Sequence, residues 1–113
     1  MEDGRIQDSQ LTASSYYGDA VAPSNARLNH GAGSGDAWHQ SEFSMNEWLQ
    51  VDLGVTTAVT GLVLQGRDRA MDWNFQCVTK YRVQYSDGAT AWLWIRDVNQ
   101  QEAKVKLAIF SRL

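Results

Sequence analysis

The amino-acid sequence predicts an all-β domain, built as an antiparallel β-sandwich or barrel. Hydrophobic residues make up 43% and charged residues 20% of the 113 residues, which is the balance of one globular domain. Short apolar runs with period-2 alternation recur from residue 47 onward, and we find no amphipathic helix pattern. With nine glycines and a single proline, the turns are made mainly by glycine and polar residues, which favours short strands.

The clearest strand is predicted near residues 78–85, where Tyr81, Val83 and Tyr85 alternate with polar side chains. It ends at Asp87 and Gly88, a pair typical of a tight hairpin turn, so a partner strand is expected near 91–95. Two earlier strands are predicted near 48–53 and 58–65, joined through residues 54–57. A fifth alternating run lies at 105–109. Five strands of this kind predict a sandwich or a barrel.

Charge and cysteine content exclude several classes of function. The formal net charge is −3, so no overall positive field attracts nucleic acid, and we expect no nucleic-acid partner. Cys77 is the single cysteine, so no disulfide closes within the chain, and we expect its thiol to be buried as a small hydrophobe. The sequence opens without a signal peptide pattern and contains no apolar run of transmembrane length.

Short motifs in a fixed order resemble the discoidin, or coagulation factor V/VIII type C (F5/8 C), domain. They are GRI at 4–6, DSQLTASS at 8–15, ARLN at 26–29, AW at 37–38, WLQVDLG at 48–54, VTG at 59–61, QGR at 65–67 and YRVQYSDG at 81–88. The resemblance covers residues 1 to about 95. It implies a distorted jelly-roll of the discoidin or galactose-binding type, an antiparallel β-sandwich with binding loops, called spikes, at one end.

The resemblance places three spikes at residues 16–21, 30–36 and 67–76. Family members use such loops on phospholipid head groups, carbohydrates, collagen or other cell-surface proteins. Large side chains in the first and third spikes have no evident core to fill, and exposed clusters of this kind often mark a ligand surface. Packing and ligand binding are weighed equally for these residues. The candidate ligand-binding residues are Tyr16, Tyr17, Val21, Arg69, Met71, Trp73 and Phe75.

Other aromatic residues and one arginine have a structural interpretation. Core packing is expected for Trp38, Trp48, Tyr81, Val83 and Tyr85, because they occupy strand-like or motif positions. Within the QGR motif the arginine at position 67 is interpreted as a structural ion-pair partner, which leaves the arginine at 69 as the polar anchor for a ligand.

The family pattern continues beyond residue 95 with several more strands, and residues 99–113 do not resemble it. The resemblance therefore implies a partial F5/8 type C domain at 1–97, incomplete at the C-terminus, and a divergent tail at 98–113. The alternation at 105–109 predicts an extra strand near 104–110 in this tail, and we expect it to cover one sheet edge. An open edge favours self-association and marginal stability. A fragment, an alternative transcript, or an incorrect gene model that begins at an internal Met is an equally acceptable interpretation.

No catalytic arrangement is recognisable, so we expect a protein that is not an enzyme. His30 and His39 lie in loop-like stretches without a partnered nucleophile. A transition-metal site at Asp36, His39 and Glu42 is disfavoured, because lone histidines with scattered carboxylates are usually solvated surface. Some relatives hold a structural calcium in the region of Asn29 and Asp36, but we expect no cofactor and no metal here.

The sequence therefore predicts a non-catalytic extracellular adhesion or ligand-binding module. Its expected partner is a cell-surface glycan, a protein or a lipid head group, with peripheral membrane contact as one mode. Two alternatives stay open: a non-binding structural fragment of a larger multidomain extracellular protein, and a targeting domain separated from an enzyme. The extracellular location rests on the family resemblance alone.

Overall fold

A computed structural model describes residues 1, 3–30, 37–44, 46–67, 76–78, 80–88 and 91–95, and the backbone of 103–112. The strands are β1 (Leu11–Ala13), β2 (Trp48–Val59), β3 (Tyr81–Ser86), β4 (Leu93–Trp94) and β5 (Ala103–Arg112). Short 3-10 helices occupy Asp8–Gln10, Asp19–Val21 and Pro23–Asn25. No helix in the described ranges is long and apolar enough to cross a membrane.

The five strands form one antiparallel sheet in the order β1-β2-β5-β3-β4. The predicted tail strand is present as β5, but it lies between β2 and β3. The expectation that it covers an edge is therefore wrong. The physical reason is that β5 pairs along both of its edges, with β2 on one side and β3 on the other. The strands at the edges of the sheet are β1 and β4, which are three and two residues long. Short edge strands present few unpaired backbone groups to other chains.

The predicted division of residues 48–65 into two strands is wrong. One strand, β2, runs from Trp48 to Val59, and the described residues 60–67 are not part of any strand. Its pairing with β5 changes register between Asp52 and Thr57, so extra residues of β2 form a bulge there. Gly54 lies in the bulge with a φ of 74°, and its N–H donates to Asp52 Oδ1 over 2.8 Å. The glycine expected to turn the chain instead bends one continuous strand.

Replacing Gly54 by alanine should lower the free energy of unfolding by about 1–2 kcal/mol, because an L side chain is strained at positive φ. Space is not the cause, since an added Cβ would lie 3.5 Å from Gln10 Nε2, an ordinary contact. Chemical denaturation of the variant measures the loss. Gly18→Ala is the control, because Gly18 has an extended φ of 173° and open space around it. Equal effects of the two substitutions would contradict the bulge interpretation.

The buried core lies on one face of the sheet. Leu11, Leu49 and Val51 are 4%, 9% and 2% exposed, and Val83 on β3 is 8% exposed. Leu11 pairs with Val51, and Leu49 and Val83 occupy register positions on either side of the same β5 residue. Alternate residues of a strand point to the same face of the sheet, so these four buried side chains lie together on one face.

Two expectations about single residues are wrong. Tyr81, predicted to be in the core, is 41% exposed, because it is the first residue of β3 and lies at the end of the sheet. Cys77, predicted to be buried, is exposed, because residues 76–78 form an irregular segment outside the sheet. Val83 is buried as predicted, and Trp38, Trp48 and Tyr85 are half-buried.

Candidate functional site

Three chain segments leave the sheet at the same end. Ala13, the last residue of β1, pairs with Leu49 near the start of β2. Trp48, at the start of β2, pairs with Ser111 of β5, and Tyr81, at the start of β3, pairs with Arg112 from the other side of β5, so β3 also starts at this end. The segment after β1, the segment before β2 and the segment before β3 therefore converge. The first predicted spike belongs to the first of these segments, and the third predicted spike precedes β3.

The structure separates the predicted residues of the first spike. Tyr16 is 46% exposed and Tyr17 is 78% exposed. Val21, predicted to contact a ligand, is only 8% exposed, because the 3-10 turn at Asp19–Val21 directs it toward the interior. Val21 therefore serves packing and is removed from the candidate site. Four predicted residues, Arg69, Met71, Trp73 and Phe75, lie outside the described residues, as does the second spike at 31–36.

A buried carboxylate anchors the chain just before the two tyrosines. Glu47 is 8% exposed, and its Oε2 accepts hydrogen bonds from the hydroxyls of Ser14 and Ser15, both at 2.5 Å. Ser14 Oγ in turn accepts from the Trp48 N–H over 2.9 Å. Charge-assisted bonds of this kind are stronger than neutral ones. Glu47 thereby fixes the strand end of the first spike to the start of β2.

The Ser14 hydroxyl, followed by the Ser15 hydroxyl, lowers the pKa of Glu47 below its usual 4.5, although burial opposes the shift. Both hydrogen bonds stabilise the ionised carboxylate. Glu47 is therefore charged at neutral pH, and its carboxylate faces the hydroxyls of Ser14 and Ser15.

The segment before β2 supports the first spike along its length. Trp38 Nε1 donates to Ser15 O over 2.9 Å, and the Ser41 N–H donates to Ser15 Oγ over 3.1 Å. Further along, the Tyr17 N–H donates to His39 O, and the His39 N–H donates to Val21 O. These bonds hold the backbone of Tyr17 while its ring stays exposed.

The His39 ring lies beside Tyr17. The ring centroids are 6.1 Å apart at an interplanar angle of 69°, an edge-to-face contact. His39 Nδ1 lies 2.6 Å from Gln40 O, and because a carbonyl only accepts, Nδ1 carries the proton in this contact. Sequence reasoning placed His39 in a loop without a role, and here it orders the aromatic surface.

Phe43 is an exposed aromatic residue that sequence reasoning missed. Its side chain is 90% exposed, more than Tyr17, and it follows Ser41 in the segment before β2. It falls outside all three predicted spikes. The available signal was an aromatic residue in a stretch, 40–47, where Met45 is the one other apolar residue.

Arg67 closes the base of the third predicted spike. Its N–H donates to Gln76 O over 3.0 Å, and its Nη1 donates to Gln76 Oε1 over 2.7 Å. This partner is an amide and not a carboxylate, so the interpretation of Arg67 as an ion-pair partner stays a prediction. Arg67 and Gln76 are therefore adjacent in space.

In the part of the chain that is described, no three His, Cys, Asp or Glu side chains lie close enough together to hold a metal ion. Asp36, which both the transition-metal and the calcium hypotheses need, lies outside that part.

The F5/8 type C domain model matches residues 10–111 of this chain. The chain belongs to the F5/8 type C, or discoidin, domain family. The match extends beyond residue 97, where the sequence resemblance faded, and covers all of β5 except Arg112. The division at 97 stays a prediction. The β-sandwich is the fold of this family, and the all-β class predicted from sequence is confirmed.

Relatives of this discoidin domain are much longer proteins. The chain is 40% identical over 109 residues to coagulation factor V of Mus musculus, covering 93% of the chain and 5% of that protein. It is 38% identical over 112 residues to lactadherin of Bos taurus, covering 93% and 25%. It is 35% identical over 100 residues to neuropilin-1 of Rattus norvegicus, covering 88% and 10%. The chain thus spans a quarter or less of each of these three relatives.

Proposed function

We propose that this discoidin domain is a non-catalytic extracellular module that binds a ligand at the cell surface through the loop carrying Tyr16 and Tyr17. The observation that carries the proposal is the combination of an exposed aromatic pair with a fixed backbone. Tyr17 is 78% exposed, while its N–H is bonded to His39 O and the preceding serines are bonded to Glu47. A large apolar side chain held outward on an ordered loop supports a contact role.

The tyrosines suit a glycan, a protein or a lipid head group for the same physical reason. A tyrosine ring offers a flat apolar face and a polar hydroxyl, and fixing its two side-chain torsions costs little conformational entropy. A loop already ordered before binding lowers that cost further. The proposal includes Arg69, Met71, Trp73 and Phe75, because they precede β3, which starts at the same end of the sheet as the Tyr16 loop.

The hydroxyls of Ser14 and Ser15 and the His39 imidazole support binding over catalysis. Ser14 and Ser15 direct their hydroxyls at the Glu47 carboxylate, and His39 directs Nδ1 at a backbone carbonyl. A nucleophilic serine requires a base within hydrogen-bond reach that accepts its proton during attack. A carboxylate whose pKa is lowered below 4.5 is a weak base for that purpose.

Replacing Tyr17 by alanine should abolish most ligand binding and leave folding unchanged. The side chain is largely exposed, so the free energy of unfolding should change by less than about 0.5 kcal/mol. Binding is measured by liposome sedimentation, by a glycan array and by a peptide array, each against the parent protein. Val63→Ala is the control, because Val63 is also exposed, at 74%, but lies in the segment after β2.

The variant Tyr17→Ala separates the outcomes. Loss of one signal only, with Val63→Ala unaffected, supports the proposal and identifies the ligand class. A parent protein that binds on none of the three platforms, or a Tyr17→Ala variant that binds as well as the parent, contradicts the proposal and favours the structural-fragment alternative.

A further inference from the structure

Phe43 extends the exposed aromatic surface beyond the first spike. At 90% exposure it makes almost no contact with the rest of the molecule, which is costly for a phenylalanine in water. Ser41, two residues earlier, is bonded to Ser15 Oγ at 3.1 Å, and Ser15 directly precedes the tyrosine pair. Two residues of extended chain span at most about 7 Å, so the Phe43 backbone lies close to the base of the Tyr16 loop.

The charged side chains on the two segments that carry these aromatic residues are carboxylates, whereas the exposed Lys80 and Arg82 lie at the start of β3, on the far side of β2 and β5. Residues 28–66 contain no Lys or Arg, and neither do residues 6–26. Arg27, which lies between these ranges, has a side chain only 9% exposed and pairs with Asp8 at 2.5 Å. Asp19 and Glu42, by contrast, are exposed on the two segments that carry the aromatic residues. Carboxylates also outnumber basic residues in the 68–75 segment, where Asp68 and Asp72 accompany one arginine.

This charge distribution decides between occupants. Anionic lipid surfaces attract clusters of Lys and Arg, at about 1 kcal/mol for each basic residue near the surface. The two loops described here offer carboxylates instead, so they do not attract an anionic bilayer electrostatically. A protein partner with basic residues around an apolar patch matches both features, because aromatic anchors form the centre of strong interfaces and rim charges steer the encounter.

We propose that Phe43, Tyr16 and Tyr17 form one docking surface, with Asp19 and Glu42 as its acidic rim, for a protein segment that presents apolar side chains flanked by Lys and Arg. This inference rests on the proposed function and specifies the partner of the same site. His39 belongs to the surface as the ring that holds Tyr17 from the side.

The test uses a peptide array and three kinds of vesicle. Each peptide carries two apolar anchors flanked by Lys and Arg, and a matched peptide carries Glu and Gln at the flanking positions. The vesicles contain phosphatidylcholine alone, phosphatidylcholine with phosphatidylserine, or phosphatidylcholine with a cationic lipid. The parent protein should bind basic peptides, ignore the acidic ones and leave phosphatidylserine vesicles unbound, and binding should weaken as salt rises.

Three variants complete the test. Phe43→Ser should weaken peptide binding about tenfold, the loss typical of an interface anchor worth about 1.4 kcal/mol. The double variant Asp19→Asn with Glu42→Gln should bind more weakly at low salt and show a flatter salt dependence. Val55→Ser is the matched control, because Val55 is 71% exposed in the β2 bulge and should be neutral.

The outcomes distinguish this inference from the proposed function. If Tyr17→Ala loses binding while Phe43→Ser binds as the parent does, the proposed function stands and the extended surface is refuted. Binding to phosphatidylserine vesicles in place of basic peptides, or equal binding of basic and acidic peptides, overturns the partner assignment. Peptide binding that persists in both Tyr17→Ala and Phe43→Ser overturns the inference and the proposed function together.

Discussion

Replacing Leu11 by alanine should lower the free energy of unfolding by about 2–5 kcal/mol, a large share of the 5–15 kcal/mol of a typical domain. Leu11 is 4% exposed and pairs with Val51, which is 2% exposed. Truncation leaves a cavity that rigid strands fill only in part, so the lost transfer free energy and the cavity both contribute.

The Leu11 substitution should also loosen the proposed site. β1 has three residues and pairs only with β2 among the described strands, and the serines that hold Glu47 follow it directly. Urea denaturation measures the stability loss, and the midpoint should fall without a change in the denaturant slope. Leu93→Ala is the control, since Leu93 is 57% exposed on β4 and should cost less than about 0.5 kcal/mol. A loss below about 1 kcal/mol for Leu11→Ala would show that β1 is not part of the stable core.

Local sequence patterns were sufficient to predict the strands in which apolar and polar residues alternate regularly. Tyr81, Val83 and Tyr85 predicted β3, and the turn at Asp87 and Gly88 predicted its partner β4. The error at residues 48–65 arose because a strand needs a partner as well as a pattern. A glycine at positive φ, such as Gly54, occurs both in turns between strands and in bulges within one strand. Here the chain forms a bulge, because Thr57 pairs with Val105 of β5, which is distant in the sequence.

The site was predictable only in part, because exposure depends on how loops fold back. Tyr17 and Val21 belong to one loop and both are apolar, yet one is 78% and the other 8% exposed. The difference arises from a single 3-10 turn and from the hydrogen bonds that His39 makes to both residues. Phe43 escaped prediction because it lies outside the spikes that the family resemblance indicates, and only its tie to Ser15 through Ser41 brings it near them.

Replacing Glu47 by glutamine should lower the free energy of unfolding at pH 7 by about 1–3 kcal/mol, the value of hydrogen bonds to a charged group. The carboxylate accepts from both Ser14 and Ser15 through one oxygen. A glutamine carbonyl oxygen can also accept two hydrogen bonds, but it is neutral, so both bonds lose their charge assistance. Because both serines precede Tyr16, the substitution should also weaken ligand binding, although Glu47 itself is buried. Glu42→Gln is the stability control: it makes the same chemical change at an exposed carboxylate of the same segment.

The pH dependence of this loss provides the sharper measurement. The pKa of Glu47 is lowered in the folded state, so its contribution to stability is fully present above the unfolded value near 4.5 and disappears as the pH falls through the lowered folded pKa. Urea denaturation of the parent and of Glu47→Gln from pH 7 to pH 3 should therefore give two stability curves that converge below about pH 4.5. Other carboxylates, such as Asp3 with a pKa lowered by Arg5, are common to both proteins and cancel in the difference. A difference that stays constant across this range, or one that Glu42→Gln reproduces, would show that the ionised Glu47 is not what holds the Tyr16 loop to the start of β2.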